Sequence, residues 1–172
     1  MNLHDFYDYK NQLCKDLLTN ERIVELLDKG VMIQNADRLM YDVVYPFEYI
    51  PDTVEHGHTF ICCDVDVQVP NGRELGDKQL FYSPILYVWE FTHKSKLRLP
   101  EGGVRTDELA AAIADQINGS RFYGLGQLQL YSAKRFAPII DFQGKALAFV
   151  AREWNHPYNP KQAIPANRKR GE

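Results

Sequence analysis

From Thr59 to Val69 the chain alternates strictly, with Ile61, Cys63, Val65, Val67 and Val69 on one side and Cys62, Asp64, Asp66 and Gln68 on the other. Successive side chains of a strand point to opposite faces, so the pattern predicts a strand with one buried and one wetted face. The next apolar run, Leu80 to His93, differs: Ile85, Tyr87, Trp89 and Phe91 share one face, and Leu86 and Val88 make the other apolar too. Such a strand must be covered on both sides. Pro84, early in the run, predicts a bulge or an edge position. Pro70-Asn71-Gly72 and Gly76 break the chain between the two strands.

One cover is a helix. In Arg105 to Asn118, Leu109, Ala112, Ile113, Gln116 and Ile117 recur at helical spacing. Thr106 suits an N-cap, Asp107 and Glu108 suit the positive end of the helix dipole, and Asn118-Gly119 is a left-handed stop signal. Its alanines, Ala110, Ala111, Ala112 and Ala114, allow a close approach to a sheet. The second cover is expected from the N-terminal helices or from another subunit. Leu3 to Leu18 places Phe6, Leu13 and Leu17 on one helical face, and a short helix follows Thr19-Asn20 and ends at Lys29-Gly30.

Gln127 to Ala137 and Lys145 to Trp154 read as two further strands, joined through Pro138 to Gly144. The order α-α-β-β-α-β-β, with a helix packed across a mostly antiparallel four-stranded sheet, belongs to the α+β class. At 172 residues the chain is expected to form one domain over residues 1–155, followed by an extended basic tail over 156–172. That tail carries Pro157, Pro160 and Pro165 and the cluster Arg168, Lys169, Arg170.

Between the second helix and the first strand, residues 31–58 lose periodicity around Tyr45-Pro46-Phe47-Glu48-Tyr49-Ile50-Pro51-Asp52. A stretch that long is usually functional or hides structure. Two readings are open: Tyr45, Phe47 and Tyr49 tuck under the domain, or the arm docks on a neighbouring subunit. The expected interface residues are Tyr45, Phe47, Tyr49, Ile50, Arg168, Lys169 and Arg170.

A net charge of −3 gives no general attraction to DNA or to an acidic membrane. Three cysteines, with Cys62 and Cys63 adjacent and facing apart, argue against a disulfide framework. No stretch reads as a signal peptide or a span, so the expectation is a soluble protein of a reducing cytoplasm, without membrane contact.

Constellations for chemistry are weak. Asp64, Asp66, Glu90 and Lys94 suggest a small metal-dependent nuclease, but three residues separate Glu90 from Lys94 and the usual acidic-x-lysine spacing is absent. His56-x-His58 lacks a cysteine pair with zinc-site spacing. Gly124-x-Gly126 precedes a strand, not a helix, so it reads as a turn and not a phosphate loop. Ser83, Ser120 and Ser132 have no local base. A DNA-binding packaging accessory protein would contact phosphates through Lys94, Lys96, Arg98 and the terminal cluster, although these residues, like Lys134 and Arg135, are more often solvated surface. No metal and no cofactor are expected.

The run Arg105-Thr106-Asp107 through Gly119, Gly124-Leu125-Gly126, Phe136-Ala137-Pro138 and the late strand resembles the tail terminator and head-tail joining (neck) proteins of long-tailed bacteriophages and prophages. The resemblance extends over Tyr45 to Asp52, Thr59 to Val67 and Ser83 to His93, roughly residues 40–155. It implies a non-enzymatic virion protein, assembled in the host cytoplasm into a ring, typically a hexamer. Its implied partners are other copies of itself, the tail tube protein and the head connector or adaptor, with DNA only passing through the channel. The segment after Asn155 has no counterpart in that pattern.

Overall fold

The computed structural model describes residues 3–52, 57–68, 83–121 and 127–151. Helices α1 (Leu3–Leu17) and α2 (Glu21–Leu26) are followed by a 3-10 helix, Ile33–Leu39, and five strands: β1 (Val44–Tyr45), β2 (Thr59–Gln68), β3 (Ser83–His93), β4 (Leu128–Phe136) and β5 (Phe142–Ala151). Helix α3 (Arg105–Ile117) separates β3 from β4. The sheet order is β1-β2-β3-β5-β4, with β1 parallel to β2 and the other pairings antiparallel. The fold is α+β, as the alternation implies, with one strand more than the four expected.

The extra strand lies within the arm. Val43 O accepts from Ile61 N at 2.9 Å, and Val44 and Tyr45 pair with Ile61 and Cys62. A two-residue strand carries no periodicity, because its pairing is set by its partner and not by its own pattern. The long stretch 31–58 thus holds a buried 3-10 helix face (Ala36, Leu39) and a buried strand (Val44, Tyr45) ahead of its exposed part.

Register sorts the sheet into two faces. Ile61, Glu90 and Lys145 share one, as do Cys63, Val88 and Leu147; Phe60, Phe91, Gly144 and Phe136 share the other. The thiols of Cys14 in α1 and Cys63 in β2 are in contact, and Lys145 in β5 pairs with Asp107 in α3. Both helices therefore lie on the Val88 face. The N-terminal helices do not supply the second cover of β3, and Tyr87 and Trp89 stay half-buried on the opposite face, stacked at 5.6 Å.

Pro84 sits one residue beyond the last β5 pairing, Ile85 with Val150, while its pairing with Val67 of β2 continues unbroken. The missing N–H costs no ladder bond there, which is the tolerance that proline finds at strand ends. Helix α3 begins two residues earlier than the Thr106 cap predicts: Val104 is the N-cap and makes no side-chain cap bond, while Thr106 is buried in the first turn. Arg105 explains the shift. Its Nε donates to Lys96 O at 2.8 Å and its Nη1 to Leu26 O at 2.7 Å, so the buried guanidinium satisfies a carbonyl at the end of α2 and ties α2 to α3.

At the start of α2, Asn20 Oδ1 accepts from Arg22 N and Ile23 N. Asn20→Ala is expected to cost about 1 kcal/mol, read as a lower urea midpoint at unchanged slope.

Candidate assembly surface

The arm divides its aromatics by direction. A bend at Pro46 and Phe47 breaks the extended alternation that would otherwise put Tyr45, Phe47 and Tyr49 on one side. Tyr45 is buried, and Tyr49 stacks on it at 4.2 Å and 14°. Both rings reach Phe60 on β2, at 6.5 and 5.5 Å between centroids. The Tyr45 hydroxyl donates to Asp42 O at 2.8 Å, and Cys62 Sγ lies 3.9 Å from Tyr49 O as a weak donor. These two tyrosines close the hydrophobic core and are not free for a partner.

Phe47 and Ile50 point the other way. They are 43% and 59% exposed, and Phe47 packs between Tyr45 at 5.4 Å and Tyr41 at 6.4 Å. Tyr41 takes a positive φ of 60°, and its N–H donates to Val44 O at 2.8 Å, so the chain turns tightly and presents the ring outward. The Tyr41 hydroxyl donates to Asn11 Oδ1 of α1 at 2.9 Å. Contact with the Tyr7 hydroxyl raises the Tyr41 phenol above its ordinary 10.0. Tyr41 and Phe47, whose rings are in contact, and Ile50, exposed three residues further along, form the exposed apolar ledge of the arm, next to the Tyr45–Tyr49 stack. An open groove of about 550 Å³ runs beside it, lined by Tyr7, Asp8, Asn11, Lys15, Met40 and Tyr41 among others.

Of the expected interface residues, Phe47 and Ile50 are presented to solvent, Tyr45 is buried and Tyr49 half-buried, and Arg168, Lys169 and Arg170 lie outside the described residues. Tyr41, which sequence reading passed over, joins them; its signal was a tyrosine directly before Asp42 at a turn. Gly124 and Gly126, His56, and the end of the last predicted strand at Trp154 likewise fall outside the described residues.

The candidate chemistry does not converge. Glu90 shares its face with Ile61, whereas Asp64 pairs with Tyr87 and Asp66 with Ile85 on the opposite face. Among the described residues no three His, Cys, Asp or Glu side chains are grouped to hold a metal ion. Lys94 is paired with Asp141 at 2.5 Å and Lys96 with Asp28 at 2.5 Å, which removes two cations from the proposed phosphate surface. Burial pushes the Cys62 thiol up to about 12, and contact with the Cys14 thiol followed by burial raises Cys63 well above its usual range. Thiols held protonated in this way are poor nucleophiles.

A family model described as YomW matches residues 11–151, which takes in the second half of α1, the arm and all five described strands. The chain belongs to the YomW family. That family is of phage and prophage origin. No curated protein and no solved structure matches the chain. In this YomW-family fold the ledge stands on one outer edge of the sheet, where β1 is the terminal strand, and no helix of the described residues is long and apolar enough to cross a membrane.

Proposed function

We propose that this YomW-family protein is a structural component of a tailed-phage particle, acting by binding and not by catalysis. Copies join into a ring, a hexamer by the resemblance, at the head-proximal end of the tail. One face of the ring stops growth of the tail tube, and the other presents a site to the head connector. DNA passes through the channel without being read.

The observation that carries the reading is the Tyr41–Phe47–Ile50 ledge in a chain of a phage family. Three large apolar side chains are exposed next to a turn, a bend and a buried aromatic stack, so their exposure is built into the fold. Rigid aromatic anchors of this kind form the energetic centres of protein interfaces. The tail tube and connector partners rest on the resemblance of the sequence to neck proteins.

Native mass spectrometry of the purified chain tests the proposal. The wild type is expected to give a closed oligomer, and Phe47→Asp a monomer with an unchanged circular dichroism spectrum. A wild type that stays monomeric both alone and when released from particles overturns the ring.

A further inference from the structure

A ring of identical subunits needs two different patches, because each copy offers one side to its predecessor and the other to its successor. The ledge beside β1 is one. The opposite outer strand, β4, supplies a second. Its Leu128–Phe136 ladder is bonded only on the β5 side, and a register shift between Leu130 and Ser132 leaves Tyr131 75% exposed. Leu130 is 38% exposed on the same strand, and Ile140, in the turn between β4 and β5, is 92% exposed. Of the other exposed large apolar residues, Tyr7 lines the groove beside Tyr41, while Met32 and Val104 belong to neither edge.

Charge separates along the same axis. On β4, Lys134 and Arg135 are exposed and have no acidic partner among the described residues. At the other side of the sheet, Glu48 and Asp66 are exposed and have no basic partner among the described residues, while Asp64 is bound to Lys10 at 2.9 Å. The groove next to the ledge is mixed in sign, so the complementarity belongs to the strand edges and not to the helical side.

We propose that the β4 edge of one copy seats on the Tyr41–Phe47–Ile50 ledge of a second copy, with Tyr131 and Ile140 as its apolar contacts and Lys134 and Arg135 facing Glu48 and Asp66. This names the junction within the assembly proposed above and rests on that reading. The contact is head-to-tail, and its repetition closes a ring or extends a filament. The occupant is another copy because the two patches match in charge and both are apolar, and because they lie at opposite ends of one sheet, so a single operation repeated generates every junction. The bulge and the two cations on β4 oppose indiscriminate strand pairing and leave side-chain packing to make the contact.

The test mixes two variants, each damaged on one side. Tyr131→Asp and Phe47→Asp are each expected to be monomeric by native mass spectrometry. Their equimolar mixture is expected to give a 1:1 dimer and nothing larger, since one intact β4 edge meets one intact ledge and the remaining sides are both damaged. A Lys134→Glu/Arg135→Glu chain is a second probe that leaves the apolar contacts in place; it is expected to assemble at least tenfold more weakly than wild type at low salt. Assembly of Tyr131→Asp at wild-type strength, or a mixture that stays monomeric, overturns this junction. Wild-type assembly alongside either result leaves the ring standing, whereas a monomeric wild type overturns both.

Discussion

Gly144→Ala is expected to lower the melting temperature by roughly 10 °C or to prevent folding, corresponding to a loss of about 3 kcal/mol or more. Gly144 is a buried residue in the middle of the β3–β5 ladder, opposite Phe91. A Cβ placed there would lie 1.8 Å from Glu90 O and 2.5 Å from Phe91 Cα. These are backbone atoms, so no rotamer change relieves the clash and β5 must move away from β3. The empty space above the glycine is used by its neighbours across the sheet: the Phe91 and Phe136 rings, on strands either side of β5, meet with centroids 5.8 Å apart, and Phe142 adds an edge-on contact to Phe91 at 5.9 Å. Aromatic side chains leaning over a strand glycine restore the packing that it lacks. Gly102→Ala provides the contrast. Its φ is 99° but nothing lies within 4 Å of the added carbon, so its cost is conformational, about 1 kcal/mol. Thermal unfolding of both variants separates loss of space from backbone strain; a Gly144→Ala protein that melts with Gly102→Ala removes the close-approach argument.

Gly144 also marks where sequence reading stops. The alternation over Thr59–Gln68 and the double apolar character of β3 were legible because each is a property of one strand, and α3 was legible from its own period. What a residue meets on the next strand is not written locally. Nothing in Gln143-Gly144-Lys145 announces that β3 passes within a carbon's width, since that depends on a register between strands more than fifty residues apart. The same holds for β1, whose two residues are a strand only because Ile61 and Cys62 accept them. In the arm, the aromatic run was visible, but its division into inward Tyr45 and Tyr49 and outward Phe47 was not, because residues two apart share one side of an extended chain and the bend at Pro46-Phe47 breaks that rule. Which set faced the core required knowing that Phe60 lay beneath it. Leu130-Tyr131 breaks the alternation of β4 with two adjacent apolar residues, and this is the sequence trace of the bulge that turns Tyr131 outward.

Glu90→Gln is expected to stabilise the protein above mildly acidic pH, by an amount that grows with pH. The Glu90 side chain has no exposure to solvent, and neither carboxyl oxygen has a hydrogen-bond partner among the described residues. Burial holds its pKa well above the ordinary 4.5; Lys145 across the ladder opposes the shift, and the Asp107 carboxylate adds to it. Lys145 lies directly across from Glu90 on β5, yet its ammonium is drawn out to Asp107 at the start of α3. In the unfolded chain Glu90 releases its proton near 4.5, whereas in the fold it keeps it to higher pH. The folded state therefore binds more protons across that interval, and stability falls as pH rises from about 4.5 through the raised value, by roughly 1.4 kcal/mol for each unit of elevation. Below 4.5 both states are protonated and the penalty vanishes. Urea midpoints of wild type and Glu90→Gln should then nearly coincide at pH 4 and diverge towards pH 8, with the variant more stable. Asp107→Asn removes a charge that raises the pKa and releases Lys145 from its partner, so it should shrink the divergence without abolishing it. Equal pH slopes for wild type and Glu90→Gln would place an ionised, compensated carboxylate at this position. A steeper loss in the variant would mean that the carboxyl is held by a donor that the amide cannot replace.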